Sequence, residues 1–302
     1  MKNLIPEHND LNGHVTLLNE YLREKFGTKV YKIALNGGFT CPNRDGKIDW
    51  RGCIFCSEGG SGEFAQSAGL SVTQQIELGK RKIQDKIKDG KYIAYFQAYT
   101  GTYDKVDRLR ALFTEAIDHP DVAVLSVGTR PDCLPAEVLD LLSELNRIKP
   151  VWIELGLQTI HEDSAKYIRR GYGLSVYDSA VKALNERGIE VITHLIIGLP
   201  GESRQDILES VDYVCRSGAS GIKLQLLHIL KGTDLAKEYE AGLIDVMSED
   251  EYIEILKECT KIIPEHVVIH RLTGDGDKKI LIAPLWSGNK KHVWNRIKKE
   301  VL

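Results

Sequence analysis

Short apolar runs alternate with amphipathic stretches along most of this chain. From about residue 30, runs rich in β-branched and aromatic residues recur as VYKIALN (30–36), YIAYFQAY (92–99), VAVLSVG (122–128), VWIELGL (151–157), VITHLIIGL (191–199) and IKLQLLHIL (222–230). Each has the length and composition of a strand. Between them apolar residues fall at helical spacing: Val106, Leu109, Leu112, Phe113 and Ala116 make one stripe, and Val138, Leu141, Leu142, Leu145 and Ile148 another. Gly188 stands where a helix C-cap belongs, just before the fifth run, and Ser203 is a predicted N-cap after the turn at Leu199, Pro200 and Gly201. Six strand–helix repeats predict a parallel sheet with helices outside it, as an open doubly wound sheet or as a full or partial barrel. In either case a ligand site belongs at the C-terminal ends of the strands.

The flanks read differently. Residues 1–29 predict an N-terminal helix. Residues 243–302 predict an appended segment, with a capping box (Ser248, Glu251) opening a helix to Ile263, a strand at HVVIHRL and a basic final helix. The expected organisation is a 1–242 α/β domain, its N-terminal helix included, with a 243–302 extension packed on it. Composition adds little: 42% hydrophobic and 27% charged residues suit a globular chain, and 40 basic against 43 acidic side chains exclude polyanion binding by net charge alone. No run of about 18 apolar residues occurs, and MKNLIPEHND is too polar for a signal peptide, so the expectation is a cytoplasmic protein with no membrane partner.

The cysteines change the picture. Cys41, Cys53 and Cys56 crowd into CPNRDGKIDWRGCIFC, a C-x11-C-x2-C pattern in a glycine-rich loop after the first predicted strand. Clustered thiols in a reducing compartment are more often metal ligands than disulfides. Three cysteines fit an iron–sulfur cluster with one iron left open, or a zinc loop closed by a nearby His, Asp or Glu. The position, at the active-site face of a β/α repeat, speaks for chemistry. Cys133, Cys215 and Cys259 lack ligand spacing and read as small buried side chains, with no auxiliary cluster expected.

Beyond this loop a series of motifs follows in order: GGSG, TGTY (100–103), GTRPD (128–132), ELGLQT (154–159), RRGYG (169–173), HLIIGLPGE (194–202) and LLHILKGTDL (226–235). Over about residues 10–275 the chain resembles the radical SAM superfamily, specifically its YhcC/YtqA-like group. It is more distantly similar to the radical SAM domain of the Elongator catalytic subunit and to oxygen-independent coproporphyrinogen oxidase. The commonest motif of the superfamily has three residues between its first two cysteines; this chain has eleven, so the match is to the subgroup. The resemblance implies a partial (β/α)6 radical SAM barrel with a C-terminal α/β extension. It implies a 4Fe-4S cluster on Cys41, Cys53 and Cys56, whose open iron chelates S-adenosyl-L-methionine (SAM), and cleavage of SAM to methionine and a 5′-deoxyadenosyl radical. An electron donor such as flavodoxin or ferredoxin would supply the reducing electron.

Polar residues on the inward faces of strands suit such a cofactor better than a barrel packed only for stability. Tyr95, Gln97 and Tyr99 share one face, as do Glu154, Gly156 and Gln158, and His194 lies mid-strand. Gln97, Glu154, Gln158 and His194 are therefore expected near SAM, with Arg130 or Arg170 at its carboxylate and the Gly198–Leu199 backbone at its adenine. Two basic stretches, 79–91 and 289–300, suggest a polyanionic substrate or solvated helix faces; the second interleaves Trp294 with Lys290, Lys291, Arg296, Lys298 and Lys299. Similarity to the Elongator domain, which acts on wobble uridine, implies a tRNA substrate, although no acetyltransferase segment is expected here. The competing expectations are an enzyme acting on a small metabolite and a non-catalytic zinc-binding RNA adaptor.

Overall fold

The structure, a computed structural model, describes residues 15–60, 62–84, 90–274 and 276–302. The expected N-terminal helix is α1 (Leu18–Phe26), ended by Gly27 in the left-handed conformation; residues 1–14 of that expectation lie outside the described residues. The repeats then follow as β1 (Val30–Leu35), α2 (Val72–Ile83), β2 (Lys91–Phe96), α3 (Val106–Asp118), β3 (Val122–Thr129), α4 (Ala136–Asn146) and β4 (Val151–Gln158). After them come α5 (Glu162–Tyr167), α6 (Leu174–Asn185), β5 (Glu190–Ile197), α7 (Arg204–Arg216) and β6 (Gly221–Leu226). The last part comprises β7 (Ile229–Leu230), α8 (Asp234–Glu240), α9 (Glu249–Ile262), β8 (Val268–Arg271), β9 (Leu281–Ala283) and α10 (Lys290–Glu300). Ser203 and Ser248 cap α7 and α9 through capping boxes, as expected, each hydroxyl accepting from the third helical N–H. Ile148 falls past the end of α4 and is exposed, so the stripe it was assigned to is one position shorter.

All pairings in the main sheet are parallel, in the order β1-β2-β3-β4-β5-β6-β8. The sheet thus has seven strands rather than six. The seventh is the strand read in the C-terminal extension, which pairs with β6. The N-terminal segment reaches the same strand, through Ile269 N–H to the Thr16 carbonyl at 2.9 Å.

Period-2 alternation sorts each strand into two faces. One set, including Leu35, Phe96, Leu125, Ile153, Leu195 and Leu224, packs against the helices in the large apolar core. The other faces inward, in layers. At the N-terminal ends Val30, Ile93, Val124, Trp152 and Ile192 close the bottom together with Leu22 of α1. One step up the strands come Lys32, Tyr95, Ser126, Glu154, His194 and Lys223. The next step brings Gln97, Gly128, Gly156, Ile196 and Gln225 to the open end.

Candidate active site at the open end of the barrel

The chain leaves the sheet after β1 and does not re-enter a helix until α2, and the intervening loop carries the three clustered cysteines. Backbone hydrogen bonds fix the long gap between the first two: Ile48 N–H to Pro42 O (2.9 Å), Gly52 N–H to Asn43 O (2.7 Å) and Arg44 N–H to Cys41 O (2.8 Å). The loop is tied to the segment after β4 by Asn43 Nδ2 donating to Arg169 O (2.7 Å) and by Ile54 N–H donating to Ile168 O (3.3 Å). The Arg44 guanidinium donates to the carbonyls of Cys56 (2.8 Å) and Ser57 (2.6 Å), which sets the last turn of the loop. Gly60 is required there: its φ is +56°, and a Cβ would lie 2.4 Å from the Tyr99 ring.

Cys41, Cys53 and Cys56 are half-buried, and all three line one cavity of about 270 Å³. Burial pushes the Cys53 thiol up, against the pull of Arg130, and pushes Cys56 up to about 12, with Cys53 adding to the rise and Arg44 opposing it. Three sulfur donors facing one cavity, beside two guanidiniums that offset thiolate charge, fit a cluster that takes its ligands deprotonated. Cys133, Cys215 and Cys259 are buried elsewhere, as expected of packing residues.

Of the other predicted site residues, Gln97, Arg130, Glu154, Gln158, Arg170 and His194 line the same cavity. Gly198 and Leu199 do not. Gly198 follows β5 at φ +90°, and Leu199, 2% exposed, packs with Ile54 and Ile168. The lining residues also differ in how their polar atoms are used. Arg170 is 2% exposed and donates to the carbonyls of Leu157, Thr159 (2.6 Å) and Tyr172 (2.9 Å), so it braces the loop after β4. Arg130 forms a bidentate pair with Asp132 (2.9 and 2.8 Å), and both guanidiniums lie over the Tyr172 ring, at 5.1 and 4.8 Å from its centroid. Gln158 is different: its backbone sits at φ +70° and its buried Oε1 has no hydrogen-bond partner. Among the described residues, the non-glycine positions at positive φ are Tyr99, Gln158 and Arg169, all on this face. Such conformations cost about 1–3 kcal/mol each and cluster at ligand sites.

Below this rim lies a charged layer that the sequence reading identified only in part. Glu154 is 1% exposed and accepts from Lys32 (2.6 Å) and Ser126 (2.8 Å) on one oxygen, and from His194 (2.8 Å) and Lys223 on the other. Burial raises its pKa, but Lys223, Lys32 and His194 overcome this and hold the carboxyl well below the usual range. His194 is pushed down to about 4 by burial and by Lys223, so the imidazole is neutral. Gln225 Nε2, a donor, lies 3.3 Å from His194 Nδ1, which places the imidazole proton on Nε2, facing Glu154. Lys32 and Lys223 escaped the sequence reading, yet a signal exists: each is the lone cation of its strand, at an inward position, in VYKIAL and GIKLQL.

The two basic stretches part company here. In 79–91, Lys80 pairs with Glu77 and Asp121, and Lys91 donates to Pro120 O, all beside the N-terminal end of β3 and away from the cavity; residues 85–89 lie outside the described residues. The stretch 289–300 forms α10, whose Lys290 lies 5.2 Å over the ring of Phe64, a residue of the cavity mouth. Lys291, Trp294, Lys298 and Lys299 are exposed on this helix, while Arg296 is spent on Glu249, Asp250 and Glu300.

Comparison with known proteins agrees with this geometry. The radical SAM superfamily profile matches residues 41–214, and a radical SAM C-terminal domain profile matches residues 219–302. The chain is 46% identical to the uncharacterized protein YtqA of Bacillus subtilis, over 94% of this chain and 88% of YtqA. At greater distance it is 26% identical to a Methanocaldococcus jannaschii protein named tRNA uridine(34) acetyltransferase, over 58% of this chain and 32% of that one. The fold matches the archaeal Methanocaldococcus infernus Elp3 structure with a TM-score of 0.66 at 17% identity, covering 89% of this chain and 63% of Elp3. Among the described residues no helix is long and apolar enough to cross a membrane. A parallel half-barrel with three cysteines in the loop after its first strand, matched over most of its length by YtqA and by the family profile, belongs to the radical SAM superfamily, and the chain is a radical SAM enzyme.

Proposed function

We propose that the chain modifies tRNA, at the side chain of a wobble uridine. In this reading Cys41, Cys53 and Cys56 hold a 4Fe-4S cluster, and Gln97, Gln158 and His194 border bound SAM. When bound and reduced, by flavodoxin or ferredoxin, the cluster supplies the electron that cleaves SAM to a radical able to abstract hydrogen from an unactivated carbon. The chain's own residues bind, orient and exclude water. Arg44 and Asn43 hold the cluster loop in shape, Arg170 fixes the carbonyls of the β4 loop, and the apolar plug at Trp152 and Leu22 closes the barrel from below.

The observation that carries the RNA reading is the position of α10. Its first residue, Lys290, lies over Phe64 at the cavity mouth, and the helix carries exposed Lys291, Trp294, Lys298 and Lys299, the composition that holds phosphates and stacks a base. The similarity to the archaeal tRNA uridine(34) acetyltransferase points to the same substrate class. The test is an anaerobic assay of reconstituted, reduced protein with SAM and tRNA from a deletion strain. The expected result is 5′-deoxyadenosine formed in step with a changed nucleoside at position 34. Deoxyadenosine formed at the same rate with and without tRNA, together with an unaltered nucleoside profile in the deletion strain, overturns the reading.

A further inference from the structure

We propose that Asn43 is a positioning residue that acts through Cys53: its side-chain N–H bonds the cysteine sulfur and raises the reduction potential of a cluster held there. The proposal rests on the reading that Cys53 ligates iron. Asn43 Nδ2 lies 3.4 Å from Cys53 Sγ and 2.7 Å from the carbonyl oxygen of Arg169. The second contact fixes which end of the amide is nitrogen, because a reversed amide would set two acceptor oxygens face to face. One of the two amide hydrogens is therefore committed to Arg169, and the other is available to the sulfur.

The amide is buried and held in place by its neighbours. Asn43 is 1% exposed, and Cys53 lines the cavity while Asn43 does not, so a cluster in the cavity meets the sulfur and leaves the amide behind it undisturbed. Arg169, whose carbonyl aims the amide, sits at φ +58°, and its guanidinium is anchored on Asp234 at 2.8 Å. The Asn43 backbone carbonyl takes the N–H of Gly52, the residue before Cys53, at 2.7 Å. Asn43 Oδ1, by contrast, is buried without a partner. An asparagine with its acceptor unused is a poor packing residue, and its two donated bonds account for its place.

As a thiol, Cys53 also leans on the Arg169 carbonyl as a donor, at 3.8 Å. A thiolate bound to iron has no proton to give and only accepts, and its charge strengthens the bond from Asn43. An added electron makes the cluster and its sulfurs more negative, so the bond is stronger in the reduced state than in the oxidised one. Hydrogen bonds to the sulfurs are among the levers that set iron–sulfur potentials. Asn43 thereby makes the cluster easier to reduce and brings it within reach of a weaker reductant.

The test is an EPR-monitored redox titration of the anaerobic holoenzyme, with neither SAM nor tRNA present. Asn43→Leu, close in volume and without a donor, is expected to lower the midpoint potential by about 59 mV, a tenfold loss in the one-electron reduction equilibrium. Asp234→Asn slackens the same tie through Arg169 but removes a negative charge, so its potential should stay level or rise. An unchanged midpoint in Asn43→Leu overturns the proposal. An equal fall in both variants also overturns it, because the shift then comes from a loosened loop. A direct reading needs no variant: with the side-chain nitrogen of asparagine isotopically labelled, pulsed EPR of the reduced wild-type cluster should show a nitrogen coupling, Asn43 being the one asparagine between Cys41 and Cys56. Its absence overturns the proposal even where Asn43→Leu takes up no cluster. Wild-type protein that binds zinc and no iron overturns the cluster reading and this proposal with it, whereas a cluster with an unchanged potential overturns the proposal alone. A failed tRNA assay touches neither.

Discussion

The rim and the floor of one cavity are both polar, and they differ in how completely their polar atoms are partnered. At the floor, Glu154 has every acceptor position filled from four different strands, and His194 has a partner on each ring nitrogen. At the rim, Gln158 Oε1 is buried without a partner, and the backbone of Gln158 and Tyr99 is held in a conformation that neither residue prefers. Position along a strand does not separate structural polar groups from ligand-directed ones; satisfaction does.

The largest expected effect is at the rim. Cys41→Ala should remove the iron and abolish 5′-deoxyadenosine formation, while the apoprotein melts within about 1 kcal/mol of wild type, because the thiol is half-buried in a loop and holds up no core. Iron content near wild type in this variant would break the assignment of Cys41. At the floor the balance reverses. Glu154→Gln leaves the buried Lys223 and the half-buried Lys32 without their counter-charge and should destabilise the apoprotein by about 3–5 kcal/mol, read by chemical denaturation. A loss no greater than that of a surface substitution would mean that the floor is wetter and more adaptable than its burial indicates.

The third prediction concerns pH. Above about 6.5, His194 is neutral in both folded and unfolded chains. As pH falls below that value, the unfolded histidine takes a proton that the folded one refuses until about 4, so the folded state loses stability across this window. His194→Gln should make that decline shallower by up to about 3 kcal/mol between pH 6.5 and 4, measured as the difference between the two denaturation series. Parallel curves would mean that His194 takes up its proton as readily in the fold as in the unfolded chain. The smallest effect sharpens the comparison most. Gln158→Gly removes both the orphaned oxygen and the backbone strain, so the apoprotein should be equal to wild type or more stable by up to about 1 kcal/mol, while the SAM dissociation constant rises severalfold.

Much of this architecture was legible from alternation alone. The six repeats, the caps at Ser203 and Ser248 and the cysteine loop at a strand end follow from local rules that act within a few residues. What escaped depends on partners distant in the chain. Nothing local in HVVIHRL says that it pairs with β6. Arg170, read as a candidate for an anionic ligand, is spent on carbonyls that converge only once the β4 loop has folded. The role of Glu154 could not be assigned without Lys32, 122 residues away, and Lys223, 69 residues away.

The seventh strand has a consequence for how the protein is made. Until residues 268–271 have left the ribosome, β6 is the edge of an unfinished sheet, and its unpaired backbone is open to any extended segment nearby. The same residues are needed to dock Thr16 and Leu17 ahead of α1, so the first helix waits for one of the last strands. Synthesis therefore passes through a long interval in which the cysteine loop exists but the barrel around it is incomplete. The ordering of β8 sets the earliest moment at which the barrel is whole around the loop that would receive a metal centre.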